Sequence, residues 1–323
     1  MIEHQYNKES IASLCGEVVK NISKVIVGNS SSLELLLTAL LSEGHLLLDD
    51  VPGVGKTLLA RSLSKSMGGT FKRIQFTPDL LPADVTGFNV YDRQSGKFKF
   101  QKGPIITNIL LADEINRAIP RTQSSLLESM EESQVTVDGT TLKLPRPFMV
   151  IATQNPLELE GTFPLPEAQL DRFLMRLKMG YPSAAEEVTI LERFQQDDPL
   201  AKLEVVITTE QALGLQQARQ KILVASPVKE YIVNLVRATR ESPSLRFGAS
   251  PRAALHLMRA TQALAVLQGR DYVLPDDVKR LAEPVLSHRL MVETKEMVRG
   301  VTAENVLGEI ISQVTIPPFP ELD

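Results

Sequence analysis

The segment DVPGVGKT, residues 50–57, combines glycines, a lysine and a hydroxyl residue at a spacing that suits phosphate binding. It follows the apolar run HLLLDD (45–50) and precedes a helical pattern over residues 57–67, so it is predicted to connect a buried strand to a helix. Gly53 and Gly55 let the backbone curl until several N–H groups point at one place. The amino terminus of the helix adds partial positive charge there, so the segment is predicted to bind a polyphosphate.

Two side chains of this loop are predicted to bind the nucleotide and its metal. Lys56 would reach the β and γ phosphates, and Thr57 would place its hydroxyl on Mg²⁺. Asp50 stands where the full motif has glycine, and we expect it to make the turn with a positive φ and to direct its carboxylate away. A glycine-rich turn without function is the alternative, which the flanking strand and helix disfavour. The predicted nucleotide-binding residues of the loop are Pro52, Gly53, Val54, Gly55, Lys56, Thr57 and Leu58.

The apolar run NILLADE (108–114) ends in two consecutive carboxylates. Successive residues of a strand point to opposite sides, so Asp113 is predicted to face a metal beside the loop and Glu114 to face the attacking water. The hydrolysis of a phosphoanhydride needs both groups. Solvated acidic pairs are common at strand ends, and it is the preceding phosphate loop that favours the catalytic interpretation. Arg117 and Arg121 either lie in solvent or contact a neighbouring subunit.

A third apolar run, PFMVIATQNP (147–156), also ends in polar residues. Gln154 or Asn155 could donate a hydrogen bond to the γ phosphate or position the water. A strand-end amide with purely structural hydrogen bonds is the alternative interpretation.

Two arginines further along the chain are candidates for contacts with an anion. Arg172 lies in PEAQLDRF (166–173), near a helix end and just before the last predicted strand. Arg252 lies in GASPRAALHL (248–257), in the first turn of a predicted helix. A cation in that position opposes the helix dipole, which favours an anionic ligand for Arg252.

Strands alternate with helices over the first part of the chain, which predicts a mainly parallel sheet covered on both faces. Residues 88–100 and 134–144 interrupt this alternation and are predicted to form β-hairpins. After about Pro182 only helical patterns follow. We therefore predict an α/β nucleotide-binding unit with two hairpin inserts over residues 1–182 and a helical unit over residues 183–323.

The composition excludes several classes of protein. Apolar residues make up 43% and charged residues 23% of the 323 residues, and the net charge of −4 disfavours a nucleic-acid binder. Cys15 is the only cysteine, the amino terminus lacks the pattern of a signal peptide, and the most apolar run (33–41) is too short to span a bilayer. The four histidines have no metal-ligand spacing. A cytoplasmic protein without a membrane span is predicted.

The chain closely resembles the MoxR family of AAA+ ATPases. The segments that carry the resemblance, in order between about residues 22 and 270, are LLLDDVPGVGKT, ILLADEINRA, SLLESMEESQVTVDG, VIATQNP, GTFPLPEAQLDRF and FGASPRA. The family shares the Asp-Val-Pro-Gly form of the loop, which accounts for Asp50. The resemblance implies an αβα sandwich whose parallel five-stranded sheet has the order 5-1-4-3-2, with an all-helical lid.

The resemblance also implies roles for individual residues. Asn155 resembles the sensor 1 residue, Arg172 the arginine finger and Arg252 the sensor 2 arginine. KVIVGN (24–29) is similar to the segment near the adenine, with Ile26 and Val27 as implied contacts, although their residue types alone indicate core positions.

At the level of function, the resemblance implies an ATPase that uses ATP and Mg²⁺, forms a hexameric ring and remodels or matures protein clients. Partners with a von Willebrand A domain and a role in metal or cofactor insertion are part of that expectation, and the two hairpins would face the ring pore. A nucleic-acid motor or loader is the alternative, supported locally by Lys97, Lys99 and Lys102. An ATP-responsive scaffold with negligible turnover is disfavoured, since a mere binder does not need Glu114.

Overall fold

The computed structural model describes residues 8–51, 53–155, 161–195 and 198–318. The helices within these ranges are α1 (Lys8–Ser23), α2 (Ser30–Leu41), α3 (Lys56–Ser66), α4 (Pro82–Thr86), α5 (Pro120–Glu132), α6 (Glu167–Leu170), α7 (Ala184–Phe194), α8 (Thr209–Arg219), α9 (Ser226–Glu241), α10 (Pro251–Leu267), α11 (Pro275–Leu286), α12 (Thr294–Val298) and α13 (Ala303–Gln313). The strands are β1 (Leu46–Asp49), β2 (Phe71–Gln75), β3 (Gly87–Asp92), β4 (Lys97–Lys102), β5 (Ile109–Asp113), β6 (Gln134–Val137), β7 (Thr140–Lys143), β8 (Met149–Gln154), β9 (Met175–Leu177), β10 (Leu245–Phe247) and β11 (Met291–Val292).

Five strands form one parallel sheet in the order β2-β5-β8-β1-β9. Counted by themselves along the chain, these strands have the order 5-1-4-3-2, so the expected topology is confirmed. The register places Gln75 of β2 beside Asp113 of β5, and Asp49 of β1 beside Gln154 of β8. Polar residues at the carboxyl ends of four neighbouring strands therefore meet at one edge of the sheet.

The two faces of the sheet are covered by different helices. Leu46 and Leu48 of β1 belong to a buried apolar cluster with residues of α1, α2 and α3, whereas Leu47 belongs to a second cluster with residues of α5. This alternation follows from the two-residue period of a strand. It produces the three-layer αβα arrangement.

Two antiparallel hairpins extend from this core, as the sequence predicts. Strands β3 and β4 pair along their whole length, from Gly87 opposite Lys102 to Asp92 opposite Lys97. Strands β6 and β7 are joined through Asp138 and Gly139. Both residues of that turn have positive φ, 48° and 78°, which is the conformation that favours an Asp-Gly pair in a two-residue hairpin turn.

The region after β9 is predominantly helical, and it also contains a short antiparallel pair, β10 and β11, that the sequence did not predict. Ser183 caps α7 in a capping box with Glu186, and the Ser250 hydroxyl caps α10. Ser226 is not the N-cap that its Ser-Pro sequence indicates. It is the first residue of α9, and Ala225 occupies the cap position without a side-chain bond.

The hydrophobic core is continuous between the sheet and the helical region. The cluster that contains Leu46 and Leu48 extends through α1–α3 to residues of α8, α9, α10, α11 and α13. The division near residue 182 consequently stays a prediction. In the part of the chain that the structure describes, no helix is both long and apolar enough to cross a membrane.

His45, which immediately precedes β1, connects three parts of the core. Its Nδ1 accepts a hydrogen bond from the Val150 N–H (3.0 Å), so its Nε2 must be the donor to the Met130 carbonyl oxygen (3.0 Å). Its ring also makes an edge contact with Phe148, with 5.5 Å between the ring centroids. Burial lowers the pKa of His45 from 6.5 to about 4, against the opposing effect of the Met130 carbonyl.

This buried histidine predicts a pH-dependent stability. Because its pKa is lower in the folded state than in the unfolded state, its contribution is present above pH 6.5 and is lost as the pH falls toward 4. Between pH 7.5 and pH 5.0 the wild type should lose about 2 kcal/mol more unfolding free energy than His45→Gln, which keeps a donor but does not titrate. Denaturant titrations of both proteins at the two pH values measure the difference. An equal loss in both would contradict the neutral, buried state of His45.

Candidate active site

A cavity of about 390 Å³ lies at the carboxyl edge of the sheet. Its lining comes from the loop before α3 and from the ends of β2, β5 and β8. The lining residues are Gly53, Gly55, Lys56, Thr57, Leu58, Arg73, Gln75, Asp113, Glu114, Thr153, Gln154 and Asn155. The parallel pairing thus brings together the phosphate loop and the acidic pair that the sequence singled out.

The loop has the backbone that its glycines predict. Gly53 and Gly55 have φ values of 91° and 90°, and an added Cβ at either would meet no atom within 4 Å. Glycine is therefore required there by the backbone conformation and not by a lack of space. Lys56 Nζ donates a hydrogen bond to the Asp50 carbonyl oxygen (2.6 Å) across the loop. Burial lowers the pKa of Lys56, while the nearby carboxylates, Asp50 and Asp113 foremost, act in the opposite direction.

Asp50 is buried, and its carboxylate points away from the cavity, as expected. The carboxylate accepts hydrogen bonds from the backbone N–H groups of Met179 and Gly180, the latter at 3.1 Å. The expected positive φ is wrong, since Asp50 is not among the residues in that conformation. Asp50 instead ties the start of the loop to the chain just beyond β9, and that contact explains a carboxylate in place of glycine.

One buried hydroxyl positions both acids. Thr153 Oγ1 donates to Asp113 Oδ1 (2.6 Å) and accepts a hydrogen bond from the Glu114 N–H (2.8 Å). Thr153 is fully buried in β8, and both of these bonds are partly buried at the cavity. Thr153 was not predicted from its sequence, because only the pairing of β8 beside β5 makes it a neighbour of the two acids.

Glu114 has a left-handed backbone, with φ 55° and ψ 51°. The chain turns sharply there after β5 ends, so the Glu114 carboxylate enters the same cavity as that of Asp113. The two acids were predicted to face different sides because side chains alternate along a strand. Glu114 lies beyond the end of β5, so this alternation does not apply to it. An unfavourable backbone conformation in a non-glycine residue is common at functional sites.

Three further polar side chains hold the acids. Arg73 Nη2 donates to Asp113 Oδ2 at 2.7 Å, and Gln75 Nε2 donates to Glu114 Oε2 at 2.6 Å. Arg117, left open between solvent and a neighbouring subunit, donates to Glu114 Oε2 at 3.2 Å. Arg73 and Gln75 were missed. Their spacing of two residues at the end of β2 is the signal that could have identified them.

The donor set at the acidic pair fits Mg²⁺. The Asp113 carboxylate and the Thr57 hydroxyl line the same cavity as Lys56. The described residues contain no group of three or more histidine, cysteine, aspartate or glutamate side chains able to hold a metal by themselves. Mg²⁺ at a nucleotide site takes one or two protein carboxylates and completes its octahedron with phosphates and water. A single carboxylate beside a hydroxyl is therefore an appropriate donor set.

The other predicted nucleotide contacts have different locations. Gln154 and Asn155 both line the cavity, and Asn155 is the more buried of the two. Ile26 lies in the hydrophobic core and Val27 is half-buried, so neither lines the cavity. Val54 packs against the core cluster, and Pro52 lies outside the described residues.

Arg172 and Arg252 lie away from this cavity and close to each other. Both line a smaller cavity of about 120 Å³, together with Glu131, His256 and Arg259. Arg172 Nε lies 3.3 Å from Glu131 Oε2, and Arg252 Nη2 pairs with Glu131 Oε1. The anion that the helix position of Arg252 predicted is, in this structure, a carboxylate of the same chain.

Comparisons with known families agree with this geometry. Residues 45–175 match the ATPase family associated with various cellular activities (AAA), and residues 237–310 match the AAA lid domain. The chain is 52% identical to the uncharacterized protein YeaC of Bacillus subtilis over 96% of this chain and 97% of that one. It is 43% identical to Chaperone MoxR1 of Mycobacterium tuberculosis, over 92% of this chain and 80% of the relative. It is 30% identical to Protein MoxR of Methylorubrum extorquens, over 92% and 94%.

A solved structure has the same fold. A crystal structure of a candidate ATPase from Cytophaga hutchinsonii superposes with a TM-score of 0.91 at 38% identity. The superposition covers 96% of this chain and 97% of that chain. The similarity therefore extends over the sheet and the helical region together.

The bridging hydroxyl of Thr153 predicts a specific loss of stability. Thr153→Val keeps the shape but leaves the partly buried Glu114 N–H without its acceptor. The variant should lower the free energy of unfolding by about 1–3 kcal/mol. Thr153→Ser keeps the hydroxyl and should be the more stable of the two variants. Denaturant unfolding at neutral pH measures both. A valine variant as stable as the wild type would show that the hydroxyl does not hold the acidic pair.

Proposed function

Because the chain belongs to the MoxR family of AAA+ ATPases, we propose that its hydrolysis of ATP drives the remodelling or maturation of partner proteins. The observation that carries the proposal is the single cavity that brings Lys56, Asp113 and Glu114 together. The name of one relative, Chaperone MoxR1, supports a protein client. Metal or cofactor insertion is one form that such maturation could take.

Each residue of the cavity has a role in this proposal. Lys56 and the backbone N–H groups of its loop bind the β and γ phosphates. Thr57 and Asp113 would hold Mg²⁺, which supplies positive charge to the phosphates. Glu114 orients and deprotonates the attacking water. Gln75 and Arg117 hold the Glu114 carboxylate at one of its oxygens, which leaves the other for the water.

The remaining nucleotide contacts are proposed from the family resemblance. Asn155 is assigned as the residue that senses the γ phosphate, since it is buried at the cavity, with Gln154 as the alternative. Ile26 and Val27 are assigned to the adenine. The segment around them packs against the start of α7, where a Cβ at Gly28 would collide with the Glu186 carboxylate. Pro52, Val54 and Leu58 are the other residues proposed to bind the nucleotide.

A homo-oligomer is proposed because Arg172 and Arg252, the two arginines that the family resemblance assigns to the nucleotide, line a different cavity of the chain from the one that contains Lys56. Both arginines would then act on the nucleotide of a second copy, as a hexameric ring allows. A protein with a von Willebrand A domain is the proposed adaptor, and the cytoplasm the proposed location.

The first hairpin, β3–β4, is the proposed contact for the client. Tyr91 and Phe98 are 54% and 70% exposed, and their rings form an edge contact with 5.4 Å between centroids. Lys97, Lys99 and Lys102 lie on the same hairpin, which also favours the second candidate function, a nucleic-acid motor. Aromatic rings beside cations can stack on the bases of a single strand as well as on a polypeptide.

The acidic pair and the loop predict two separable defects. Glu114→Gln should bind ATP about as tightly as the wild type but hydrolyse it about 10²–10⁴-fold more slowly, because only the group that activates water is removed. Lys56→Ala should lose affinity for ATP itself, because a charge on the phosphates is removed. Titration with a fluorescent ATP analogue and steady-state hydrolysis distinguish the two. Near-normal turnover in Glu114→Gln would show that another acid activates the water.

The hairpin predicts which partner stimulates hydrolysis. An unfolded protein should raise ATP turnover in the wild type. Phe98→Ser should lose that stimulation while keeping the basal rate, because the ring is exposed and does not line the cavity of the acidic pair. Single-stranded DNA, added in place of the unfolded protein, tests the alternative function in the same assay. Stimulation by DNA and not by protein would replace the remodelling proposal with the motor.

A further inference from the structure

Glu131 is the carboxylate that Arg172 and Arg252 share. Its Oε2 lies 3.3 Å from Arg172 Nε, and its Oε1 pairs with Arg252 Nη2. The three side chains are 41%, 30% and 39% exposed, so a second protein chain can reach all of them. Two arginines that converge on the two oxygens of one anion have the arrangement that binds a phosphate.

The backbones that carry the two arginines are held together by a separate set of contacts. Asp171, adjacent to Arg172, accepts hydrogen bonds from Arg289 Nε (2.7 Å) and from the Ser250 hydroxyl (3.1 Å). Ser250 is the N-cap of α10, two residues before Arg252. The backbone positions of Arg172 and Arg252 are therefore fixed without Glu131, and only their side chains depend on it.

The helix that carries Glu131 is also anchored. The carbonyl oxygen of Met130, the preceding residue, accepts the hydrogen bond from His45 at the start of the sheet. The backbones of Glu131 and of the two arginines are thus all anchored. Only the pairing between their exposed side chains can change at a low cost in free energy. Exposed ion pairs are weak, so a stronger anion can replace the carboxylate.

The surrounding charge favours such an exchange. Arg259 lines the same cavity as Arg172 and Arg252. The other carboxylate in the lining, Glu43, is 3.0 Å from Arg219 and 3.7 Å from Arg146. Glu131 thus faces three arginines, and a phosphate, which carries more charge and more acceptor oxygens than a carboxylate, can form stronger pairs with them.

We propose that Glu131 is a positioning residue that holds Arg172 and Arg252 together until a phosphate of a nucleotide bound by a second copy of the chain displaces it. This inference rests on the proposed action of the arginines on a second copy. Glu131 then lowers ATP turnover in weakly assembled chains, because its carboxylate competes with the phosphate of the second copy for the two arginines.

Glu131→Gln tests this role through a gain of activity, which a damaged fold cannot produce. The variant should raise kcat/KM for ATP by about 2- to 10-fold, the range expected for releasing two exposed ion pairs. It should also lower the protein concentration at which the specific activity reaches half its maximum. Glu128→Gln, one turn earlier on the same exposed surface of α5, makes the same charge change and should match the wild type.

Arg172→Ala and the double variant Glu131→Gln/Arg172→Ala complete the experiment. The double variant should be as slow as Arg172→Ala, because Glu131 acts only through the arginines. A Glu131→Gln variant that is slower than the wild type, or indistinguishable from Glu128→Gln, overturns the role of Glu131 alone. Unchanged turnover in Arg172→Ala instead overturns the proposed action on a second copy, and the role of Glu131 with it.

Discussion

The two hydrogen bonds of the Thr153 hydroxyl are the contacts on which the geometry of the candidate site depends. The hydroxyl joins Asp113, the last residue of β5, to the backbone of Glu114, the first residue beyond it. It can do so because β8 lies between β5 and β1 in a parallel sheet, which aligns the ends of the strands. The same alignment places the phosphate loop, which follows β1, on the other side of Thr153. The order of the strands therefore determines both the geometry of the two acids and their position relative to the phosphate loop.

The carboxylate nearest the start of the phosphate loop is kept out of the cavity. The carboxylate of Asp50, which would repel phosphate if it faced the cavity, is instead bound by the N–H groups of Met179 and Gly180. The two acids that must face the cavity are each paired with an arginine, Asp113 with Arg73 and Glu114 with Arg117. The binding of a metal to Asp113 would therefore compete with an ion pair that is largely exposed on the arginine side, and such pairs are weak.

The sequence predicted those features that depend on local patterns or on family resemblance. The phosphate loop, the strands β1, β5 and β8 and the Asp138-Gly139 hairpin each have a local signal, and the strand order came from the resemblance. Contacts between distant segments could not be predicted, because Thr153, Arg73 and Glu131 have meaning only through their spatial neighbours. The same limit explains the missed pair β10–β11, whose strands of three and two residues are too short to show a period. The φ of Asp50 was mispredicted since its tertiary hydrogen bonds, not its propensity, determine its conformation.

The central claim is that one site is completed by two copies of the chain, and a mixing experiment tests it most directly. Glu114→Gln lacks the water-activating acid and Arg172→Ala lacks the arginine, so each is expected to be nearly inactive alone. In a mixed assembly some interfaces combine an intact Glu114 of one copy with an intact Arg172 of its neighbour. The account predicts that ATP turnover, measured against the mixing ratio after subunit exchange is confirmed, rises to a maximum at intermediate ratios. A flat response at the level of the two parents would contradict it, because each active site would then be contained within a single chain.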